Sequence, residues 1–206
     1  MLSFPLFRHK LMGHFIMPLF ICIFGIEKAK YNNMKIIGLE NEKVKLSPYN
    51  PVWEKLYKKE EKILIPVIER YRLDIEHIGS TSILGAKAKP IIDIAVGVKN
   101  LKDGERLIKP LKKLGYECKH DASIEKRYFF TKGGENHTTH HLHIVKFNSK
   151  LWKNQIIFRD YLRKNKKIVK KYNELKEELA EKYKNDRKKY VAGKDKFIKS
   201  IIKKAK

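Results

Sequence analysis

Residues 75–98 read "IEHIGSTSILGAKAKPIIDIAVGV", and two features of this stretch could do chemistry. Gly79 closes an apolar strand pattern and is followed at once by Ser80 and Thr81, so a turn without a side chain meets two hydroxyls. Amides at the start of a helical turn lack internal partners and attract anions, which makes Gly79, Ser80 and Thr81 candidate phosphate ligands. The alternative for such a turn is an ordinary capped connection between buried strands. Further on, Asp93 interrupts Ile91, Ile92, Ile94 and Val96. A carboxylate buried without a partner is costly, so Asp93 is expected to face a cleft. Strand alternation places it with Ala95 on one face and Ile92, Ile94 and Val96 on the other.

A second chemical signal is "HTTHHLH", with His137, His140, His141 and His143. On a strand His141 and His143 share one face, and two imidazoles can join Asp93 around a metal, with Glu76 or His77 from the neighbouring strand as a further ligand. The alternative is a pair of strand histidines that hydrogen-bond phosphates or carboxylates. Asp93 and His143 are the candidate catalytic groups. The expected cofactor is a divalent ion, Mg, Mn or Zn, with imidazole shifting preference away from Mg. Lys89 precedes the Asp93 strand and could contact phosphate. Arg127, beside Tyr128 and Phe129, could reach a phosphate bidentately or pair with Glu76 or Asp93. In "FRDYLR" Arg159 and Arg163 lie one helical turn apart, and Arg159 is a phosphate candidate, although Asp160 and Arg163 at i,i+3 also suit an intrahelical ion pair. Lys194, in "YVAGKDKFI", is a further cleft candidate.

The elements that must position these residues are legible in the patterning. "VKLSPYNPVW" reads as an extended segment and turn leading into a helix anchored by Trp53, with an apolar stripe of Leu56, Tyr57, Ile63, Leu64 and Val67 and a kink or restart at Pro66. Strands are expected over 74–78 and 90–98, a helix over 103–114 closed by Gly115, and two more strands over 127–131 and 140–147 with "KGGEN" as the turn between them. Beyond Ser149, a helix N-cap, Ile168, Tyr172, Leu175, Leu179 and Tyr183 draw one apolar face along a helix. Tyr190, Phe197, Ile198, Ile201 and Ile202 repeat that spacing, so a helical layer from about residue 150 should cover the sheet.

Several of these words in this order resemble the GrpB family of nucleotidyltransferase-like proteins, a domain also found fused to dephospho-CoA kinase. The matches are "YNPVW", "IEHIGSTS", "AKPIIDI", "HHLHIV", "FRDYLR" and "YVAGKDKFI", from about Val44 to Ile202. The resemblance implies an α/β (α+β) fold with a nucleotidyltransferase-like mixed sheet, flanking helices and a C-terminal helical layer. A nucleotide or related phosphorylated small molecule is expected between the turn of residues 79–81 and the Asp93 and His143 face, and if the protein is an enzyme, nucleotidyl or phosphoryl transfer is the favoured reaction. The usual superfamily pattern has two carboxylates one residue apart on the second strand, and here Ala95 stands at the second position. Two-metal transfer would therefore need replacement ligands. A catalytically inactive nucleotide-binding module that regulates or scaffolds a partner is the alternative reading.

The chain has 206 residues and a formal charge of +24, enough for one well-buried domain and a diffuse positive field. Only eight of its 47 basic residues are arginine, so a third reading, nucleic-acid binding, would be weak and without sequence preference. Cys22 and Cys118 form neither a disulfide framework nor a metal spacing, which fits a reducing cytoplasm. Residues 1–33 read as a poorly ordered apolar and basic extension outside the domain of residues 34–206. The apolar run Phe15–Ile26 is twelve residues long, short of the roughly 20 a bilayer-spanning helix needs.

Overall fold

Helix α1 (Val52–Ile68) begins where the Asn50 side chain accepts the Val52 amide at 2.9 Å, leaving Pro51 at the helix entrance where a missing N–H costs nothing. Its buried row is Trp53, Tyr57, Glu60, Leu64 and Ile68, and Trp53 Nε1 donates to the Ile36 carbonyl at 2.9 Å. Ile63, expected in the stripe, is 37% exposed, because Glu60 occupies a core position and the apolar row runs through Leu64 and Ile68 instead. Pro66 sits in the last turn of the helix, so it interrupts little.

In the computed structural model, which describes residues 36–120 and 126–206, this helix lies on a five-stranded mixed sheet. The strands are β2 (Arg72–Ile78), β3 (Ile92–Val98), β4 (Tyr116–His120), β5 (Arg127–Lys132) and β7 (His140–Lys146), in the order β2-β3-β7-β5-β4. Strands β3 and β7 run parallel, and the other neighbours are antiparallel. Parallel neighbours need a long crossover. Helix α2 (Asp103–Lys113) and the β4-β5 pair supply it, with Gly115 at φ +83° ending the helix. A small antiparallel pair joins β1 (Leu39–Glu40) to β6 (His137–Thr138). The extension over residues 1–33 and Cys22 lie outside the described residues.

Period-two alternation along β3 divides the two faces as expected. Ile92, Ile94 and Val96 join Leu142 and Ile144 in the main core beneath α1 and α2. On the opposite face Ala95 packs with Ile78, Val145 and Trp152. Trp152 belongs to α3 (Lys150–Lys164), whose N-cap Ser149 accepts the Trp152 amide at 3.3 Å. The helical layer continues through α4 (Lys166–Lys182), α5 (Arg187–Gly193) and α6 (Asp195–Lys204). Its own core joins Leu162, Val169, Tyr172 and Ile201 to Ile83 and Ala86, which ties the connection after the Gly79 turn to the C-terminal helices. The mixed α/β architecture with a C-terminal helical layer is thus observed, although the last quarter is broken into four helices. Asn165 makes the first break, leaving helical geometry at φ −130°, ψ 79°.

Candidate functional site

Strand register builds the site. Asp93 is paired with His141 and Ala95 with His143, so these side chains emerge on the face away from α1 and α2. His141 Nδ1 lies 2.7 Å from Asp93 Oδ1. Ligand atoms of Asp93, His141 and His143 all fall within 4.8 Å of one another, close enough to share one metal ion.

Arginines fix the tautomers. A guanidinium only donates. Arg187 donates to His141 Nε2 at 2.8 Å, so His141 carries its proton on Nδ1 and donates it to Asp93. Arg127 likewise donates to His143 Nδ1 at 2.7 Å. Burial holds the His141 imidazole below its ordinary pKa against the opposing pull of Asp93. Burial, then the charge of Arg127, lowers His143 to about 3. Both rings are therefore neutral at pH 7, the form that ligates metal. Burial alone would raise Asp93, but the His141 hydrogen bond, the two imidazoles and Lys89 outweigh it and hold the carboxyl well below the usual range.

These groups form one wall of a cleft of ≈ 1190 Å³. That is at or above the roughly 300–1,000 Å³ usual for small-ligand sites and ample for a nucleotide. The opposite wall comes from the C-terminal helices. Lys89 and Lys194 hold their ammonium groups 5.4 and 4.8 Å from the Tyr190 ring centroid, a cation–π arrangement on both. Burial, followed by the charges of Arg187 and Lys194, depresses Lys89 to about 7. Seven Lys and Arg residues line the cleft against four Asp and Glu, so its field favours anions.

The Gly79 turn borders the cleft in close contact with Asp93. Gly79 adopts φ +69°, ψ −175°, and a Cβ there would lie 2.2 Å from Asp93 Oδ2, so glycine is required by both backbone and packing. Ser80–Ser82 then form a three-residue 3₁₀ turn, too short to carry a helix dipole. Positive charge beside this turn comes from a side chain instead. Ser80 faces Lys176, whose Nζ lies 3.4 Å from its hydroxyl. The Thr81 hydroxyl is turned inward between His77 Nε2 (3.1 Å) and the Ile91 carbonyl (3.4 Å).

The structure separates other residues that the sequence had grouped. Glu76 shares the face of Ala95, one pair beyond Asp93, and is held by Arg159. Arg159 is buried, also bonds Asp160 and the His77 carbonyl, and does not line the cleft. It braces α3 against β2. His77, offered as an alternative ligand, lies opposite Ile94 in the register and so points to the other face, where it stacks on Tyr57 at 4.7 Å and contacts Glu54 at 3.0 Å. His140 also points there, towards Glu60. Arg187 and Lys176 were missed. Both sit in lysine-rich helical sequence that reads as a solvated face. The one available signal for Arg187 was Asp186, whose side chain accepts the Lys189 amide at 2.9 Å and so starts a new helix at this arginine.

Ala95, where the sequence resemblance raised the expectation of a second carboxylate, is fully buried against Ile78, Val145 and Trp152. A second carboxylate there would lie in an apolar cluster and cost several kcal/mol to desolvate. The residues present thus fit one metal at Asp93, not a pair.

Comparison with known proteins matches the GrpB protein family over residues 43–204. The glutamate-rich protein GrpB of Alkalihalophilus pseudofirmus is 39% identical over 171 residues, covering 81% of this chain and 98% of the relative. The UPF0157 protein PA4798 of Pseudomonas aeruginosa is 31% identical over 179 residues, covering 85% and 73%. Among solved structures, the crystal structure of conserved protein GrpB from Enterococcus faecalis superposes with a TM-score of 0.71 at 34% identity, over 78% of this chain and 96% of that one.

Proposed function

The chain belongs to the GrpB family, and from that premise we propose that its cleft binds a nucleotide or related phosphorylated small molecule together with one divalent ion. The observation that carries this reading is the meeting of two unlike walls in one cleft. Asp93, His141 and His143 offer a metal three ligands, and Lys89, Arg187 and Lys194 offer phosphate oxygens positive charge. Neutral imidazole ligands favour Mn or Zn over Mg. A bound ion would supply Lewis-acid polarisation of a phosphoryl oxygen. The chain's own part is to hold the phosphate between Lys89, Arg187 and Lys194 and to seat the rest of the ligand along the Tyr190 side.

Nucleotidyl or phosphoryl transfer through a single metal is the reaction class this arrangement serves. The buried Ala95 supports a second reading, a binding module without turnover, because it removes the shared carboxylate of a two-metal site. Small-molecule and metal analysis of the purified protein, followed by calorimetry with a nucleotide panel, tests the binding shared by both readings. A co-purifying phosphorylated ligand and a stoichiometric transition metal are expected. Protein free of both, with no heat on adding nucleotide plus Mn²⁺, would overturn it. Product formation from the bound nucleotide then distinguishes transfer from binding alone.

A further inference from the structure

We propose that Arg187 makes metal and phosphate binding in this cleft interdependent: its guanidinium caps the imidazole that a metal needs, and a phosphoryl oxygen must take it away. This coupling rests on the cleft reading above and adds an order to it.

Arg187 donates to His141 Nε2 at 2.8 Å. A neutral imidazole has one lone pair and one N–H. In the present arrangement the lone pair is on Nε2, facing Arg187, and the proton on Nδ1, facing Asp93. If a metal binds through Nε2, it takes the lone pair that Arg187 is using. If it binds through Nδ1, the remaining proton moves to Nε2 and confronts the guanidinium, donor against donor. Arg187 must leave in either case. The same logic applies to His143, whose Nδ1 accepts from Arg127 at 2.7 Å. The result is therefore independent of which nitrogen ligates.

Where the guanidinium goes decides the sign of the coupling. Asp93 and the exposed Glu42 are its nearby carboxylates, and a metal would claim the first, leaving the guanidinium only a solvated acid. Lys89 and Lys194 already stand against the adjacent Tyr190 ring. A divalent cation added to this surrounding raises an existing excess of positive charge and releases another cation into it. A phosphate reverses both effects, because it neutralises the metal and gives Arg187 planar, bidentate acceptors. Metal and phosphate should then enter together, each weakly bound alone. Arg187 projects from the start of α5, beside the Asp186 cap, so its departure requires side-chain rotation without rearrangement of the sheet.

The test titrates Co²⁺, whose visible absorption reports imidazole ligation, into the full-length protein with and without inorganic phosphate. In the wild type, phosphate should tighten Co²⁺ binding by roughly 5- to 150-fold, the usual range for coupled sites. In Arg187→Met, Co²⁺ should bind more tightly than in wild type when phosphate is absent, and the phosphate enhancement should shrink to the part carried through Arg127. Arg187→Lys, which keeps the charge but loses the planar fork, should shift in the same direction by less, and it serves if the methionine variant fails to fold. Tight Co²⁺ binding by the wild type that ignores phosphate would overturn the coupling and leave the metal site standing. A phosphate enhancement in Arg187→Met undiminished from that of the wild type would also overturn it, since the remaining positive charge of the cleft and not Arg187 would then link the ligands. No Co²⁺ absorption under any condition would instead defeat the metal site, and the coupling with it.

Discussion

On the helix side of the sheet Glu60 is ringed by Tyr116, Lys132 and His140, and on the cleft side Asp93 meets His141, His143 and Arg187. Both clusters join a carboxylate, imidazole and a cation, and one lies on each face of the same small sheet. They differ in how their valences are used. Glu60 accepts from Tyr116 Oη at 3.0 Å and from Lys132 Nζ at 2.7 Å, with one carboxylate beside one ammonium in a closed core. The Asp93 cluster opens on a cleft, carries more cations than carboxylates, and spends two imidazole lone pairs on arginines that a metal could displace. A buried acid beside a histidine is therefore not by itself a site. The site is marked by acceptor capacity held by groups that can leave, next to space for a ligand.

The largest expected effect breaks this comparison at Asp93. Asp93→Asn should weaken Co²⁺ or Mn²⁺ binding by more than the roughly 100-fold that loss of a supporting partner can cost, with the fold retained. Unchanged metal affinity in this variant would remove the distinction between the clusters. Gly79→Ala comes next. It combines a strained φ with a Cβ driven into Asp93 Oδ2, so the unfolding free energy in urea should fall by up to about 3 kcal/mol. A variant as stable as wild type would mean that the turn relaxes without cost.

At the closed cluster, Glu60→Gln should cost about 1–2 kcal/mol of stability, because Lys132 and Tyr116 lose a charged acceptor. Metal and phosphate binding should not change. A metal defect there would show that the two faces communicate.

The smallest effect is on pH dependence. Burial lowers His140 to about 4 and His143 to about 3, both beneath the unfolded value near 6.5. A depressed folded pKa means that the unfolded chain takes up protons first. The stability contributed by the neutral rings is thus fully present above about pH 6.5 and is lost as pH falls towards those folded values. The urea midpoint should decline over that window, and His140→Asn should flatten part of the decline even though it lies outside the cleft. A midpoint independent of pH between about 6.5 and 5 would contradict the burial of both rings.

Strand β3 shows how much of this was legible in the sequence. One polar residue in an apolar run fixed the face of Asp93, and the histidine alternation on β7 fixed its partners, because a two-residue period survives without knowledge of the neighbours. Helix boundaries at Ser149 and Gly115 were readable from cap chemistry for the same local reason. The features that escaped depended on distant partners. Glu60 stands in "KKEEK", which reads as solvated charge, and only Tyr116 and Lys132 from other elements make it a core residue. Strand β4 has just five residues and a polar composition, so nothing in it announces a strand until β5 pairs with it. Arg187 and Lys176 were hidden among similar lysines, and their role comes from the packing of α4 and α5 rather than from residue type.

The division of labour along the chain has a consequence for how the protein is made. Every residue of the main core beneath α1 and α2 lies at or before Ile144, so that core can close while the last helices are still inside the ribosome. At that moment the sheet already displays Asp93, His141 and His143, but the residues that face them, Arg187, Tyr190 and Lys194, have yet to emerge. The nascent domain thus passes through an interval in which His141 lacks its arginine while His143 already has Arg127, and the cleft gains its second wall only when α5 and α6 emerge.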